Sequence, residues 1–271
     1  MLKQRIVTAI ILAIVVVGSV LQTDTLWTRI LFALFLFAAT RELVLLTLRT
    51  TSLAAMFAAS LNVALYWWSG SVIDASLVYW QSLLGLVMWA LIVIGLCFYR
   101  HSGSWPLLGR VVLLAVSLDL LWICVHGLVY LQATYGGVML LYLLSLVWVA
   151  DIGAYFSGRR FGRNKLAPAI SPGKTREGVI GGLLANLLWM PVVYWLSQGW
   201  GIALLPFLLI GFATSLFSVA GDLFESVLKR EAGVKDSGKL LPGHGGVLDR
   251  VDSVIAAAPV YVSGFIFAVH P

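Results

Sequence analysis

The sequence predicts an all-α protein threaded repeatedly through a lipid bilayer, and three observations carry that reading. Of 271 residues, 61% are hydrophobic and 11% are charged, against roughly 25% charged in an average soluble domain. That much apolar surface exceeds what one core can bury, so most of it must face lipid. Apolar stretches close to the roughly 20 residues of a helical span recur between charges, Gly/Pro clusters and polar pairs. Finally, the bases gather on alternate connections, as a fixed membrane orientation requires.

Nine spans are expected, near 6–22, 30–48, 52–68, 75–98, 107–131, 137–157, 178–197, 201–220 and 251–269. The first follows Met1-Leu2-Lys3-Gln4-Arg5; a secretory signal opens in the same way, but no small-x-small cleavage site stands out, so the stretch counts as a span. The second carries an Arg41-Glu42 pair. The third and the eighth have the weakest apolar signal. The fourth and fifth hold Cys97 and Cys124, expected as small buried hydrophobes. Asp119 lies in the middle of the fifth, where a carboxylate facing lipid would be costly. The sixth runs into Asp151-Ile-Gly-Ala-Tyr155, and a Trp pair in Trp195-Leu-Ser-Gln-Gly-Trp200 marks an interfacial turn before the eighth. The ninth opens just after Asp249 and Asp252.

With nine spans and a cytoplasmic N-terminus, 16 of the 18 Lys and Arg residues fall on the cytoplasmic side, Arg29 and Arg41 being the exceptions. An error of one span would scatter them over both faces. The whole chain, 1–271, is expected as one integral membrane domain: an apolar frame over 1–150, reactive loops and helices over 151–252, and a last span over 253–271. Residues 151–252 hold 19 of the 30 charged residues, 17 of them in two cytoplasmic loops at 158–177 and 221–250. The chemistry is therefore expected at the cytoplasmic surface of the membrane. The net charge of +6 does not imply nucleic acid, because the bases alternate with carboxylates at a membrane face and form no uninterrupted stripe.

In the first loop, Gly173-Lys174-Thr175 invites a phosphate-loop reading, which fails because the required earlier glycine position, 168, is Pro. What remains is a Ser171-Pro-Gly turn that presents Lys174 and Thr175 near a helix start, where free N–H groups favour anions. The same bases would serve equally well to fix orientation or touch anionic lipid. The second loop places Asp222, Glu225, Ser226 and Lys229 on one helical face, and Asp249 with Asp252 at the mouth of the last span. Salt bridges such as Glu225 with Lys229 would account for some of these charges. Carboxylates among so many bases suit a divalent cation shared with phosphate: Mg²⁺ takes one or two carboxylates plus phosphate oxygens, and Lys and Arg take the remaining charge. His244, flanked by glycines beside these carboxylates, joins the candidates.

The stretch Ser226-x-Leu-Lys-Arg-x4-Lys235-Asp236-x-Gly238-x2-Leu241-Pro242-x-His244-Gly-Gly-Val-x-Asp249-Arg250-Val-Asp252 resembles the signature of the phosphatidate cytidylyltransferase (CDP-diacylglycerol synthase) family. The resemblance extends to Asp151-Ile-Gly-Ala-Tyr155, Lys165-Leu-Ala-Pro168 and Ser171-Pro-Gly-Lys-Thr175, and so spans roughly 148–253. It implies a multi-span enzyme that joins CTP and phosphatidate into CDP-diacylglycerol and diphosphate, with Mg²⁺ and often K⁺. The family's metal-binding aspartates correspond to Asp222 and Asp249. Many relatives carry an aromatic residue where this chain has Arg176, which puts a stacking role there in doubt.

On this basis Asp222 and Asp249 are expected to hold Mg²⁺, and Lys229, Arg230, Lys235 and Arg250 to bind phosphates. Ser171, Lys174, Thr175 and Ser226 are expected at the substrates, with Asp236, His244 and Asp252 near the metal, the ribose or the cytosine. The expected partners are CTP, phosphatidate within the bilayer and the membrane lipids themselves; whether the chain works alone or as a homodimer stays open. Two rivals remain: a CTP-dependent lipid-alcohol kinase, and a transporter using Asp119 inside the bundle.

Overall fold

Each predicted apolar stretch is helical in the computed structural model, which describes residues 2–22, 24–69, 74–100, 105–243 and 245–269 and, of the first nine side chains, only Thr8. The helices are α1 (Leu2–Leu21), α2 (Thr25–Leu48), α3 (Ser52–Ser69), α4 (Ala75–Phe98), α5 (Leu107–Tyr135), α6 (Gly137–Phe161), α7 (Arg176–Ser197), α8 (Leu204–Ala232) and α9 (Asp252–Val269). Among the described residues, seven of them are long and apolar enough to cross a membrane: α2 and α4 to α9. In α1 the described apolar part is Ile10–Leu21, because most side chains before it lie outside the described residues; α3 carries Asn62 among its apolar residues.

Two departures from the sequence reading matter for the site. Strands β1 (Lys165–Ala167) and β2 (Ser171–Thr175) form an antiparallel hairpin inside the first charged segment, pairing Lys165 with Thr175 and Ala167 with Ser171. Helix α8 also continues about three turns past the expected end at residue 220. Residues 221–232 contain no proline and end in strong helix formers, and Lys229 and Arg230 in the last turn complement the helix dipole. Gly233, at φ +72°, stops it, with its own N–H and that of Val234 donating to the carbonyls of Arg230 and Lys229. Asp222, Glu225, Ser226, Lys229 and Arg230 are thus helical, and the true loop is 233–251.

The chain forms two compact units. The first, residues 1–78, 102–141 and 227–252, contains α1, α2, α3, α5 and the end of α8. There α2 packs against α3 and α5. Asn62 is buried between them, donating to Thr40 Oγ1 at 2.8 Å and accepting from the Trp122 indole. A polar side chain satisfied by neighbouring helices is compatible with a lipid-embedded bundle.

The second unit, residues 79–101, 142–226 and 253–271, contains α4, most of α6, the hairpin, α7, most of α8 and α9. Helices α6 and α7 approach closely at Gly182, where a Cβ would lie 2.5 Å from the Ala150 carbonyl oxygen. Fully buried Asn186 ties three helices together, its Nδ2 donating to Leu146 O and to Ser215 Oγ, both at 2.7 Å. The Trp200 turn forms as expected, Trp200 stacking on Tyr142 while Trp195 stays exposed. Cys124 is buried, but Cys97 is exposed on α4, so the expectation of two buried cysteines holds for one.

Helix α9 is the most enclosed span, and it contains Pro259. Proline has no N–H, so the carbonyl four residues earlier, on Ile255, loses its helical partner. The indole of buried Trp89 on α4 donates to that carbonyl at 3.2 Å. Trp89→Phe keeps most of the packing but strands a buried acceptor, an expected loss of about 1–3 kcal/mol. A thermal unfolding series in detergent measures it.

Candidate functional site

In the second unit, the end of β2 and the glycines of the α6–α7 contact shape a cavity of about 490 Å³. Its polar lining includes Asp151, Tyr155 and Arg159 of α6, Lys174 and Thr175 of β2, and Asp222 of α8; Val179, Leu183 and Val219 are among its apolar lining. Lys174 Nζ lies 2.6 Å from Asp222 Oδ2, with the two side chains 24% and 36% exposed. Ser226 Oγ, one turn along α8, lies 3.5 Å from the other Asp222 oxygen.

Thr175 fixes Lys174 in place. It is the N-cap of α7, its hydroxyl oxygen accepting from Gly178 N at 3.2 Å in extended backbone geometry. The next turn is pinned by Glu177, whose carboxylate accepts from Arg163 N, Asn164 N and Asn164 Nδ2 at 2.7–3.2 Å. Ser171 sits half-buried at the start of β2, opposite Ala167.

In the first unit, the loop after α8 folds around Asp249, in a short 3-10 turn over Leu248–Arg250. Lys229 Nζ is 2.7 Å from Asp249 Oδ1, the side chains being 15% and 7% exposed. The other oxygen, Oδ2, takes Ser237 N at 2.9 Å, Ser237 Oγ at 2.9 Å and Gly246 N at 2.8 Å. Gly243 and Gly245 both have positive φ, and Leu241 N donates to Gly245 O at 2.9 Å, closing a tight turn that few other residues could make. His244, expected near the substrates, lies outside the described residues. Lys235, Asp236, Arg230 and Arg250 are exposed, and Asp252 is half-buried at the start of α9.

Burial alone would raise the Asp249 carboxyl. The Lys229 hydrogen bond, the Gly246 and Ser237 amides and the Lys229 charge outweigh it, and bring the carboxyl from 3.8 down to about 2. Because the folded value is the lower one, ionised Asp249 stabilises the loop fully above about pH 4, and that contribution is lost as pH falls through about 2. The Ser237 and Gly246 amides should therefore keep the same exchange protection at pH 5 as at pH 7, after correction for intrinsic rates, and lose it only below about pH 4.

Among the described residues, no three His, Cys, Asp or Glu side chains gather into a metal centre. A site of one or two carboxylates completed by phosphate and water needs no such cluster, and that is the usual mode for Mg²⁺. Asp222 fits it, as a part-exposed carboxylate in a cavity that already holds one cation, the Lys174 ammonium. Asp249 has both oxygens engaged, and would have to exchange a hydrogen bond for a metal contact.

A model of the cytidylyltransferase family matches residues 3–267. The chain belongs to this family. It is 37% identical over 290 aligned residues to the phosphatidate cytidylyltransferase of Haemophilus influenzae, covering 98% of this chain and 99% of the relative. With the protein of the same name from Pseudomonas aeruginosa it shares 41% identity over 276 residues, covering 97% and 96%. A Staphylococcus saprophyticus phosphatidate cytidylyltransferase is 46% identical over 136 residues, about half of each chain. The resemblance read from residues 148–253 therefore extends over nearly the whole cytidylyltransferase chain.

Three residues of this family member gain a place that the sequence did not assign. Asp151 lines the cavity. Ser237, an unspecified position in the signature, holds Asp249 with two hydrogen bonds. Glu42, seen in the sequence only as half of a charged pair, is 1% exposed and accepts hydrogen bonds from the loop. A carboxylate within a span was the available signal for Glu42; nothing in the sequence marked Ser237.

Proposed function

We propose that this chain transfers the cytidylyl group of CTP to phosphatidate, giving CDP-diacylglycerol and diphosphate. The observation that carries this reading is the cavity around Lys174 and Asp222: lined by charged side chains together with the apolar Val179, Leu183 and Val219, it suits a ligand with a phosphate head and hydrocarbon tails. The names borne by the full-length relatives support the same reaction.

A phosphomonoester with a second pKa near 6 is already largely dianionic at neutral pH, so its attacking oxygen needs no general base. That oxygen bonds to the α-phosphorus of CTP while the bond to the β-phosphate oxygen breaks, and diphosphate leaves with the electron pair. Repulsion is the obstacle: at 4 Å each pair of unit charges costs about 4 kcal/mol at an effective dielectric of 20. Lys174 and Arg159 at the cavity, and Lys229, Arg230, Lys235 and Arg250 on α8 and its loop, supply the neutralising charge. Asp222 and Asp249 would each offer a carboxylate to Mg²⁺, with K⁺ as a further cation in the family pattern, and a bound divalent cation would offset phosphate charge as a Lewis acid. Ser171, Thr175 and Ser226 would offer hydroxyls to the substrates, and Asp236, His244 and Asp252 would complete the polar surroundings.

Purified protein given phosphatidate and CTP labelled at either the α- or the γ-phosphate tests the reaction. Label should pass to lipid from the α position only, with diphosphate released. Transfer from the γ position, with CDP released, would replace the proposal by a lipid-alcohol kinase, and no turnover at all would favour a transporter.

The proposal includes nine spans in a bacterial inner membrane, α1 and α3 crossing with the other seven, and the charged segments on the cytoplasmic side. The distribution of Lys and Arg supports it. With both native cysteines replaced by Ala, Lys239→Cys should react with a membrane-impermeant maleimide in inverted vesicles and not in intact spheroplasts; the reverse pattern would invert the topology.

A further inference from the structure

The signature loop of the first unit rests on a carboxylate some two hundred residues away in sequence. Glu42 is in the second half of α2 and almost fully buried. Its Oε1 accepts from Val247 N at 3.0 Å and its Oε2 from Leu248 N at 2.8 Å. These are the N–H groups at the start of the 3-10 turn that presents Asp249 and Arg250, so Glu42 does for this turn what a capping side chain does for a helix. The Ser237 hydroxyl lies 3.0 Å from Glu42 Oε2 and 2.9 Å from Asp249 Oδ2, and its single proton serves one carboxylate at a time.

Two glycines of the signature record this arrangement. A Cβ on Gly238 would collide with Glu42 Oε1, and one on Gly246 with Glu42 Oε2 and Ser237 Oγ. Gly238 does not have positive φ, so backbone conformation does not demand glycine there; room for the Glu42 carboxylate does.

We propose that Glu42 is a positioning residue: from a helix of the apolar frame it caps the Leu248–Arg250 turn and, through Ser237, holds the Asp249 carboxylate in its orientation. Its effect on turnover rests on the function proposed above. A buried ionised group is costly unless its oxygens are met, and here the loop itself meets them. Loss of the carboxylate leaves the turn's amides without acceptors, while the packing of α2 against α3 and α5 is retained.

The test is a double-mutant cycle in the full-length protein with Glu42→Ala and Gly238→Ala. Two quantities are read: the rate of tryptic cleavage after exposed Lys235 and Lys239, and kcat and KM for CTP. Each single variant should speed cleavage in the loop about tenfold and lower kcat by on the order of tenfold or more, with KM for CTP changed less than threefold. The double variant should be no worse than Glu42→Ala alone, because the Gly238 methyl then occupies space the carboxylate has vacated. Multiplying effects, or a Glu42→Ala protein with normal cleavage and normal kcat, would overturn the proposal. A general loss of fold, seen as cleavage throughout the chain for Glu42→Ala but not for Gly238→Ala, would also count against it. If wild-type protein makes no CDP-diacylglycerol, the proposed function fails, and the cleavage cycle still decides the role of Glu42.

Discussion

Asp222→Asn should reduce CDP-diacylglycerol synthesis by on the order of 10³-fold while leaving membrane insertion and thermal stability close to normal. The substitution preserves shape and removes one charge from the cavity. In the structure that charge is met by the Lys174 ammonium at 2.6 Å, at a position where both side chains remain partly open to solvent. The pair is therefore worth little to the fold, since partly exposed ion pairs contribute about 0–1 kcal/mol. Its value lies in catalysis, where a preorganised charge in a site is commonly worth 10²–10³ in rate. Steady-state assays with and without added divalent cation, beside a melting curve, separate the two quantities. Near-normal turnover would remove Asp222 from the reactive centre.

Asp249→Asn should abolish turnover too, but with a different second signature. Here the carboxylate accepts from four donors on three residues, and Lys229 opposite is largely buried. An amide offers one acceptor oxygen where two were used, and removes the negative charge 2.7 Å from the Lys229 ammonium. Breaking a buried pair in this way typically costs about 3–5 kcal/mol. The loop 237–249 should lose amide protection as a unit while α5 and α6 keep theirs. Comparing hydrogen exchange in the Asp222→Asn and Asp249→Asn proteins then distinguishes loss of a reactive charge from loss of the scaffold beneath it. Unaltered protection in Asp249→Asn would show that the four hydrogen bonds contribute little.

Much of this was legible in the chain because hydrophobic length is a strong signal. All nine apolar stretches become helices, and the ends of α2, α3, α4, α7 and α9 fall within a few residues of expectation. The end of α8 was missed because charge was read as loop, although Asp222 to Ala232 is a good helical sequence closed by Gly233. The hairpin was missed because strands of three and five residues in a Ser-Pro-Gly segment show no periodicity to read. Lys174 and Asp222 could each be singled out by type and motif, but their ion pair joins two charged segments 48 positions apart, and spacing is silent about that. Glu42 was the hardest case, for its loop partners lie 195 to 206 positions away.

The indole of Trp89 and the ring of Pro259 have an evolutionary consequence. With Ala at position 259 the helix would recover the N–H that reaches the Ile255 carbonyl, and the indole would become dispensable. With Pro259 kept, loss of the indole leaves that carbonyl unmet inside the bundle. Descendants of this sequence can shed the proline first and the tryptophan afterwards, whereas the opposite order passes through a damaged intermediate.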